Sequence, residues 1–394
     1  MPSLPPGVTA QFSAEELAWL TELRRELHRH PELSWQEEHT ARRLEAALKR
    51  AGVLDVRRVV GTGVLGRVPG LRRDRPLVAI RGDIDALPIQ EATGLSFASE
   101  QPGVMHACGH DVHATWAVAA ALLLRKSPAD GDVLILLQPA EEAADGAAAV
   151  LDAGALEDVR AIFGGHVDRR YDVGRVVVQE GPIAASADFF EIELVGTGAH
   201  GARPHEAADP VVGAAALVGA HQTLVSRRLD PGIPGVVTVA TIHAGEADNI
   251  IPDRAMLSGT VRTVDAASRG LLLDELRHVT EHVARAHHLR PKVTFARGTP
   301  PVVNAPGPVA WARDAVTAVL GDEGAVPLAG TNMAGEDFAF YLERLPGCFL
   351  RIGAREPGGP ALPAHSPGFY AAEESIFIGA AVLAEMARRA SSAL

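Results

Sequence analysis

The chain has 394 residues, 47% of them hydrophobic and 22% charged, which is material for two or three domains and excludes disordered or collagen-like classes. Its 49 Asp and Glu outnumber its 37 Lys and Arg for a net charge of −12, a field that repels nucleic-acid phosphate and anionic lipid. Aromatic residues are 5% of the chain, a thin supply for stacking bases.

Two cysteines, Cys108 and Cys348, make no disulfide framework and fit a reducing compartment. No cationic and apolar leader follows Met1. No uncharged apolar run reaches the roughly 20 residues that span a bilayer. A cytoplasmic chain without nucleic-acid or membrane partners is expected. Sixteen histidines, several beside Gly, Cys or Asp, are a first hint of metal chemistry.

Residues 1–12 read as a loose tail rich in Pro and Gly. Ser13-Ala-Glu-Glu16 is an N-cap with early acids and opens an amphipathic helix toward His30, stopped by Pro31. A second helix is predicted over about 37–50, ended by Gly52. Apolar strand-like runs at 77–80, 132–137 and 159–163 then alternate with helical segments, among them a buried helix over 114–124. That alternation implies parallel βαβ units.

The pattern changes after Gly181-Pro182. Strand-like 188–194, helical 210–229, strand-like 235–243 and 254–262, helical 265–287 and strand-like 292–296 follow in turn. This β-α-β-β-α-β order is a ferredoxin-like split-βαβ unit. A helix over 307–320, a strand over 348–352 and a terminal helix over 374–390 resume the first domain. The expected fold is therefore α/β: a catalytic domain of residues 1–182 and 298–394, with a mixed sheet and helices on both faces. An inserted α+β domain, residues 183–297, interrupts it.

Five loops at predicted strand ends or helix starts carry chemistry, as ligand sites in open α/β sheets do. They are Arg81-Gly-Asp83-Ile-Asp85, His106-Ala-Cys108-Gly-His110-Asp111, Glu141-Glu142, His166 and Leu362-Pro-Ala-His365. Cys108 and His110, separated by Gly109, can face one point, and thiolate with imidazole suits Zn and other first-row metals. Taken alone, the pair reads equally well as a buried small hydrophobe beside a helix-capping Asp111. Adjacent Glu141 and Glu142 in extended backbone point to opposite sides, one toward a metal and the other toward substrate. His166 and His365 alone are ordinary strand-end and loop residues. Together, one Cys, one carboxylate and three His make five ligands, too many for one tetrahedral ion. They fit two divalent ions about 3.5–4 Å apart sharing a bridging ligand, with one Glu left to act as general base.

The sequence resembles the metallo-aminoacylase superfamily, in the branch of hippurate hydrolases, indole-acetyl-amino-acid hydrolases and N-acetyl-diaminopimelate deacetylases. The matching segments are Arg24-Arg-Glu-Leu-His28 with His30-Pro-Glu32, Arg81 to Pro88, His106 to Asp111, Gln138-Pro-Ala-Glu-Glu142 and Gly181-Pro182. Ala199-His200 with Pro204-His205, Asn249-Ile-Ile-Pro252, Gly259-Thr-Val-Arg262, Gly335-Glu-Asp-Phe338 and His365-Ser-Pro367 complete the order. The resemblance implies that Cys108 bridges two divalent ions (Zn, Mn, Co or Ni), with His110 and His166 on one and Glu142 and His365 on the other. It makes Glu141 the general base and Asp85 a carboxylate that orients the site. It makes the inserted domain a lid and a homodimer surface, with His200 and Asn249 near the scissile carbonyl and Arg262 near a substrate carboxylate.

The implied reaction is hydrolysis of an N-acyl-amino acid amide. A metallocarboxypeptidase on short peptides is the enzymatic rival, and a binding protein that keeps the fold but lacks catalysis is the other. Asp83, His113 and Glu336 read as supporting or structural, and Trp35, Phe338 and Cys348 as core. One departure stands out. Where the family carries a Pro after the His, this chain has the charged Val167-Asp-Arg-Arg170, read as a loop facing the acyl group.

Overall fold

The computed structural model describes residues 4–394. The chain forms two compact units. The first runs up to Gly181 and resumes over Val303–Ala329 and Phe340–Leu394; the second comprises Pro182–Val302 with Gly330–Ala339.

The first unit is built on an eight-stranded sheet. Across it lie Asp55–Val59, Gly63–Val68, Val133–Gln138, Leu77–Asp83, Val159–Asp172, Gly347–Arg355, Val176–Val177 and Ala325–Val326. Its four central strands, Val133–Gln138 to Gly347–Arg355, are parallel, whereas the first two pair antiparallel, so the sheet is mixed. Every residue of Val133–Gln138 is buried, as expected of a parallel strand covered on both faces. That is why it reads as an unbroken apolar run. The helices His110–Lys126 and Glu374–Ala393 pack on each other and on the central strands. Their small residues permit close approach: Gly379 sits against the Trp116 indole.

The parallel register brings the chemistry to one edge. Asp83 pairs with Gln138, and Ile80 with Phe163; continued three residues on, the second register sets His166 level with Asp83. The loops after Asp83 and Gln138 therefore emerge where His166 lies.

The second unit is a four-stranded antiparallel sheet in the order Gly235–Ala244, Arg254–Thr263, Ala187–Val195, Arg290–Thr299. Helices Pro210–Thr223 and Ala266–Ala286 complete its β-α-β-β-α-β order. Arg254–Thr263 alternates buried and part-exposed along its length, and the buried residues meet Leu217, Leu272 and Leu276 of the helices in one core.

Three expectations change. Residues 6–9 of the expected tail form a short helix, with Pro6 at its first position and Val8 fully buried. Phe12 packs edge-on against Phe377 at 5.3 Å; residues 1–3 lie outside the described residues. The strand expected over 159–163 runs on to Asp172: the charged residues after His166 hid an extended segment. Residues 330–339, expected in the catalytic domain, belong to the second unit. Ala185 N–H donates to the Asn332 carbonyl at 2.8 Å, and Gly335 packs on Ala187 and Thr299.

Candidate metal centre

Gly109, at φ +93°, turns the chain into the His110–Lys126 helix. A side chain there is strained by the left-handed backbone and would run into Val167. This turn sets Cys108 and His110 against the strand that carries His166. The Cys108 Sγ lies 3.1 Å from His166 Nε2, and the potential ligand atoms of Cys108, His110 and His166 all lie within 4.8 Å of one another. Cys108 also belongs to a second such cluster, with Glu142 and His365, whose His365 Nε2 is 3.3 Å from Glu142 Oε1. Two three-donor clusters thus share one sulfur.

Glu141 and Glu142 do not point to opposite sides. Their oxygens lie 3.9 and 3.8 Å from the same His110 Nε2, because the backbone turns there and is not extended. Ala140 is left-handed at φ +54°, and its N–H donates to buried Glu37 at 2.9 Å. Thr62 donates to the other Glu37 oxygen at 2.7 Å. Burial pushes the Glu37 carboxyl up. Sequence reading passed Glu37 over; its signal was an acid at a helix start, which looks like ordinary capping.

The two buried histidines of the first cluster are oriented from behind. Asp85 lies 3.1 Å from His110 Nδ1, and its other oxygen accepts from Ser34 Oγ at 2.7 Å and the Glu142 N–H at 3.0 Å. Accepting a proton from Nδ1 leaves the Nε2 lone pair aimed forward, as ligating imidazoles require. Burial opposes charge at His110, but Asp83 and Asp85 outweigh it and raise its pKa; a cation at Nε2 would take the place of that proton. His166 is held through the same ring nitrogen by a neutral acceptor. Its Nδ1 faces the Val167 carbonyl at 2.6 Å, while burial, then His113 and Arg351, keep it neutral. His113 takes the Val167 N–H on Nε2 at 2.9 Å and meets Asp83 through Nδ1 at 2.6 Å, and Asp83 is paired with Arg81. Behind Asp111, which lies inside the helix and does not cap it, stand His28 at 2.8 Å and Arg24 at 2.7 Å.

The donor set fits divalent cations. His110 Nε2 is buried without a hydrogen-bond partner, a costly state for a polar atom that faces two carboxylates. Burial, with Glu142 next in size, pushes the Cys108 thiol well up; a cation beside the sulfur reverses that and favours thiolate.

The remaining expected residues lie in the second unit. His200 and Ile250 pair across a two-stranded ribbon, and Gly201 N–H donates to the Asn249 carbonyl at 2.8 Å, so His200 and Asn249 are neighbours, both exposed. Arg262 lies 5.9 Å from the Phe189 ring centre, and burial lowers its pKa. Cys348 and Phe338 are fully buried. Trp35, expected in the core, is 40% exposed and donates its indole N–H to Asp145 at 3.1 Å.

Fold and site define a class: two-unit α/β proteins with a Cys, His and carboxylate donor set for a pair of divalent cations. Within it, residues 79–389 match the model of peptidase family M20/M25/M40, and the chain belongs to that family. It is 39% identical over 370 residues to the N-acetyl-L-cysteine deacetylase of Bacillus subtilis, covering 93% of this chain and 87% of the relative. It is 37% identical to the IAA-amino acid hydrolase ILR1-like 4 of Arabidopsis thaliana (94% and 85%) and 35% identical to thermostable carboxypeptidase 1 of Saccharolobus solfataricus (95% and 96%). A B. subtilis crystal structure described as a dinuclear metal-binding M20 peptidase matches with a TM-score of 0.85 at 34% identity, over 96% of this chain and 99% of that one.

Proposed function

We propose that this chain is a dinuclear amidohydrolase that cleaves N-acyl-amino acids to a carboxylate and a free amino acid. The observation that carries the proposal is the pair of donor clusters joined at Cys108, with the Glu141 carboxylate on the same His110 nitrogen. Cys108, His110 and His166 would hold one cation, and Cys108, Glu142 and His365 the other. When bound, such a pair acidifies water and polarises a carbonyl.

Glu141 takes the proton of the attacking water and returns it to the leaving amine, a transfer that needs a carboxylate within hydrogen-bond reach of both. Asp85 keeps His110 in the ligating tautomer. His200 and Asn249 serve the scissile carbonyl, and Arg262, a desolvated cation in the second unit, takes the substrate carboxylate. Names of the deacetylase and conjugate-hydrolase relatives support an N-acyl substrate. The carboxypeptidase relative supports a second reading, the same chemistry on short or N-blocked peptides. Homodimers through the second unit fit its exposed edge strand, which presents Val236 and Ile242. Among the described residues no helix is long and apolar enough to cross a membrane.

The test is hydrolysis of N-acetylcysteine, hippurate and dipeptides by protein dialysed against a chelator and then reloaded with Zn, Mn, Co or Ni. Activity that returns with the cations on N-acyl-amino acids supports the reading. Preference for dipeptides favours the peptidase. No activity in any loaded form leaves the binding-protein rival standing.

A further inference from the structure

We propose that Arg169 is a positioning residue for the loop that carries His365, so that occupancy of the cation site formed by Cys108, Glu142 and His365 depends on it. The inference rests on the dinuclear reading above.

Between Gly347–Arg355 and the helix Glu374–Ala393 the chain runs through residues 356–373 without a regular element, longer than loops in compact domains usually are without a function. His365 sits there in the left-handed region, at φ +61°, a conformation that costs a non-glycine residue and persists only where its surroundings impose it. Among the described residues, two backbone bonds tie the tip to neighbouring segments. His365 N–H donates to the Ala107 carbonyl, beside Cys108, and Ala92 N–H donates to the Pro367 carbonyl, both at 2.8 Å.

The ends of the loop are gathered by one side chain. Arg169, 3% exposed, donates through Nη1 to the Ala354 carbonyl at 3.2 Å and the Tyr370 carbonyl at 3.0 Å. Through Nη2 it donates to the Pro360 carbonyl and to Glu356 Oε2, each at 2.9 Å, and Nε reaches the Pro360 carbonyl at 3.3 Å. The guanidinium also lies over the Tyr370 ring, 4.3 Å from its centre. A rigid planar fork with five N–H donors can hold three carbonyls and a carboxylate at once; an ammonium cannot.

Arg169 stands three residues after His166 on the same strand. That strand therefore supplies a donor to one cluster and clamps the loop that completes the other. The charged segment expected to face the acyl group does something else here. Arg169 turns inward, and Arg170 pairs with its neighbour Asp168 at 2.7 Å.

The experiment titrates cation-free, full-length protein with Co(II) against a chromophoric chelator, for wild type, Arg169→Ala, Arg169→Lys and Glu356→Gln. Amide exchange over residues 355–372 is followed in parallel. Wild type should bind two ions. Arg169→Ala should weaken one site by roughly 10–100-fold, the usual effect of losing support behind a ligand, leave the other unchanged, and speed exchange in the loop. Arg169→Lys should keep the fold and recover little affinity; Glu356→Gln should weaken the same site several-fold. Should Arg169→Ala fail to fold, the Lys and Gln variants decide the matter by the same one-site criterion. Two sites of wild-type affinity in the folded variants, or equal weakening of both, overturn the clamp. Fewer than two ions in wild type would instead overturn the dinuclear reading itself.

Discussion

Asp85→Asn is the sharpest perturbation of the site, because it changes one atom and almost no volume. The carboxylate accepts three donors: Ser34 Oγ, the Glu142 N–H and His110 Nδ1. The amide offers one acceptor oxygen and one donor group, so at least one neighbour is left facing a donor. If the oxygen stays with Ser34 and Glu142, the amide N–H meets His110 Nδ1. His110 must then carry its proton on Nε2, which removes the lone pair aimed at Cys108, Glu141 and Glu142. If the amide is reversed, the buried Glu142 N–H loses its acceptor. Either arrangement costs about 1–3 kcal/mol, the penalty of one unsatisfied buried polar group. That corresponds to roughly 10–100-fold in cation affinity, as for other groups that support a ligand from behind. The assay is competition for Co(II) or Zn(II) between the variant and a chelator, with the melting temperature of cation-free protein as a check on the fold. Wild-type affinity at both sites in a folded Asp85→Asn protein would refute this account of how His110 is oriented.

Glu141→Gln should lower turnover by about 10²–10⁴, the usual worth of general acid–base catalysis, with cation content by elemental analysis unchanged. His200→Ala should lower turnover by about 10²–10³, the effect of losing one donor to a developing oxyanion, again with cations retained; wild-type turnover removes His200 from the mechanism. The second unit carries a pH signature through His221, buried against Thr280 and pushed down to about 4 by that burial. Because the folded state disfavours its charged form, the stability it contributes is present above about 6.5 and is lost as pH falls toward 4. Urea melts at pH 7 and pH 4.5 should show His221→Leu losing less stability on acidification than wild type.

The parallel core was legible because its apolar runs at 77–80, 132–137 and 159–163 lead directly into Asp83, Gln138 and His166. The second unit was legible because strand and helix periods alternate cleanly. What escaped shares a physical cause. Residues 330–339 have no periodicity, and their place is set by long-range contacts such as Ala185 with Asn332. Val8 and Phe12 lie in a stretch whose Pro and Gly mimic a tail. The candidate donors Cys108, His110, Glu142, His166 and His365 could be singled out by type and by position at strand ends or beside Gly. Asp85 and His113 could be named as supporting residues, but Ser34 and Glu37 could not, since they act through distances that no local pattern encodes. Arg169 was misplaced because a charged residue after a ligand reads as exposed, whereas here carbonyls of a distant loop satisfy it.

Anomalous diffraction from crystals grown with Mn(II) or Zn(II) tests the shared-sulfur centre directly. The account predicts two peaks per chain about 3.5–4 Å apart, the separation of paired catalytic ions. One should contact His110 and His166, the other Glu142 and His365, and Cys108 Sγ should contact both. A single peak, or two peaks that do not share Cys108, would contradict it.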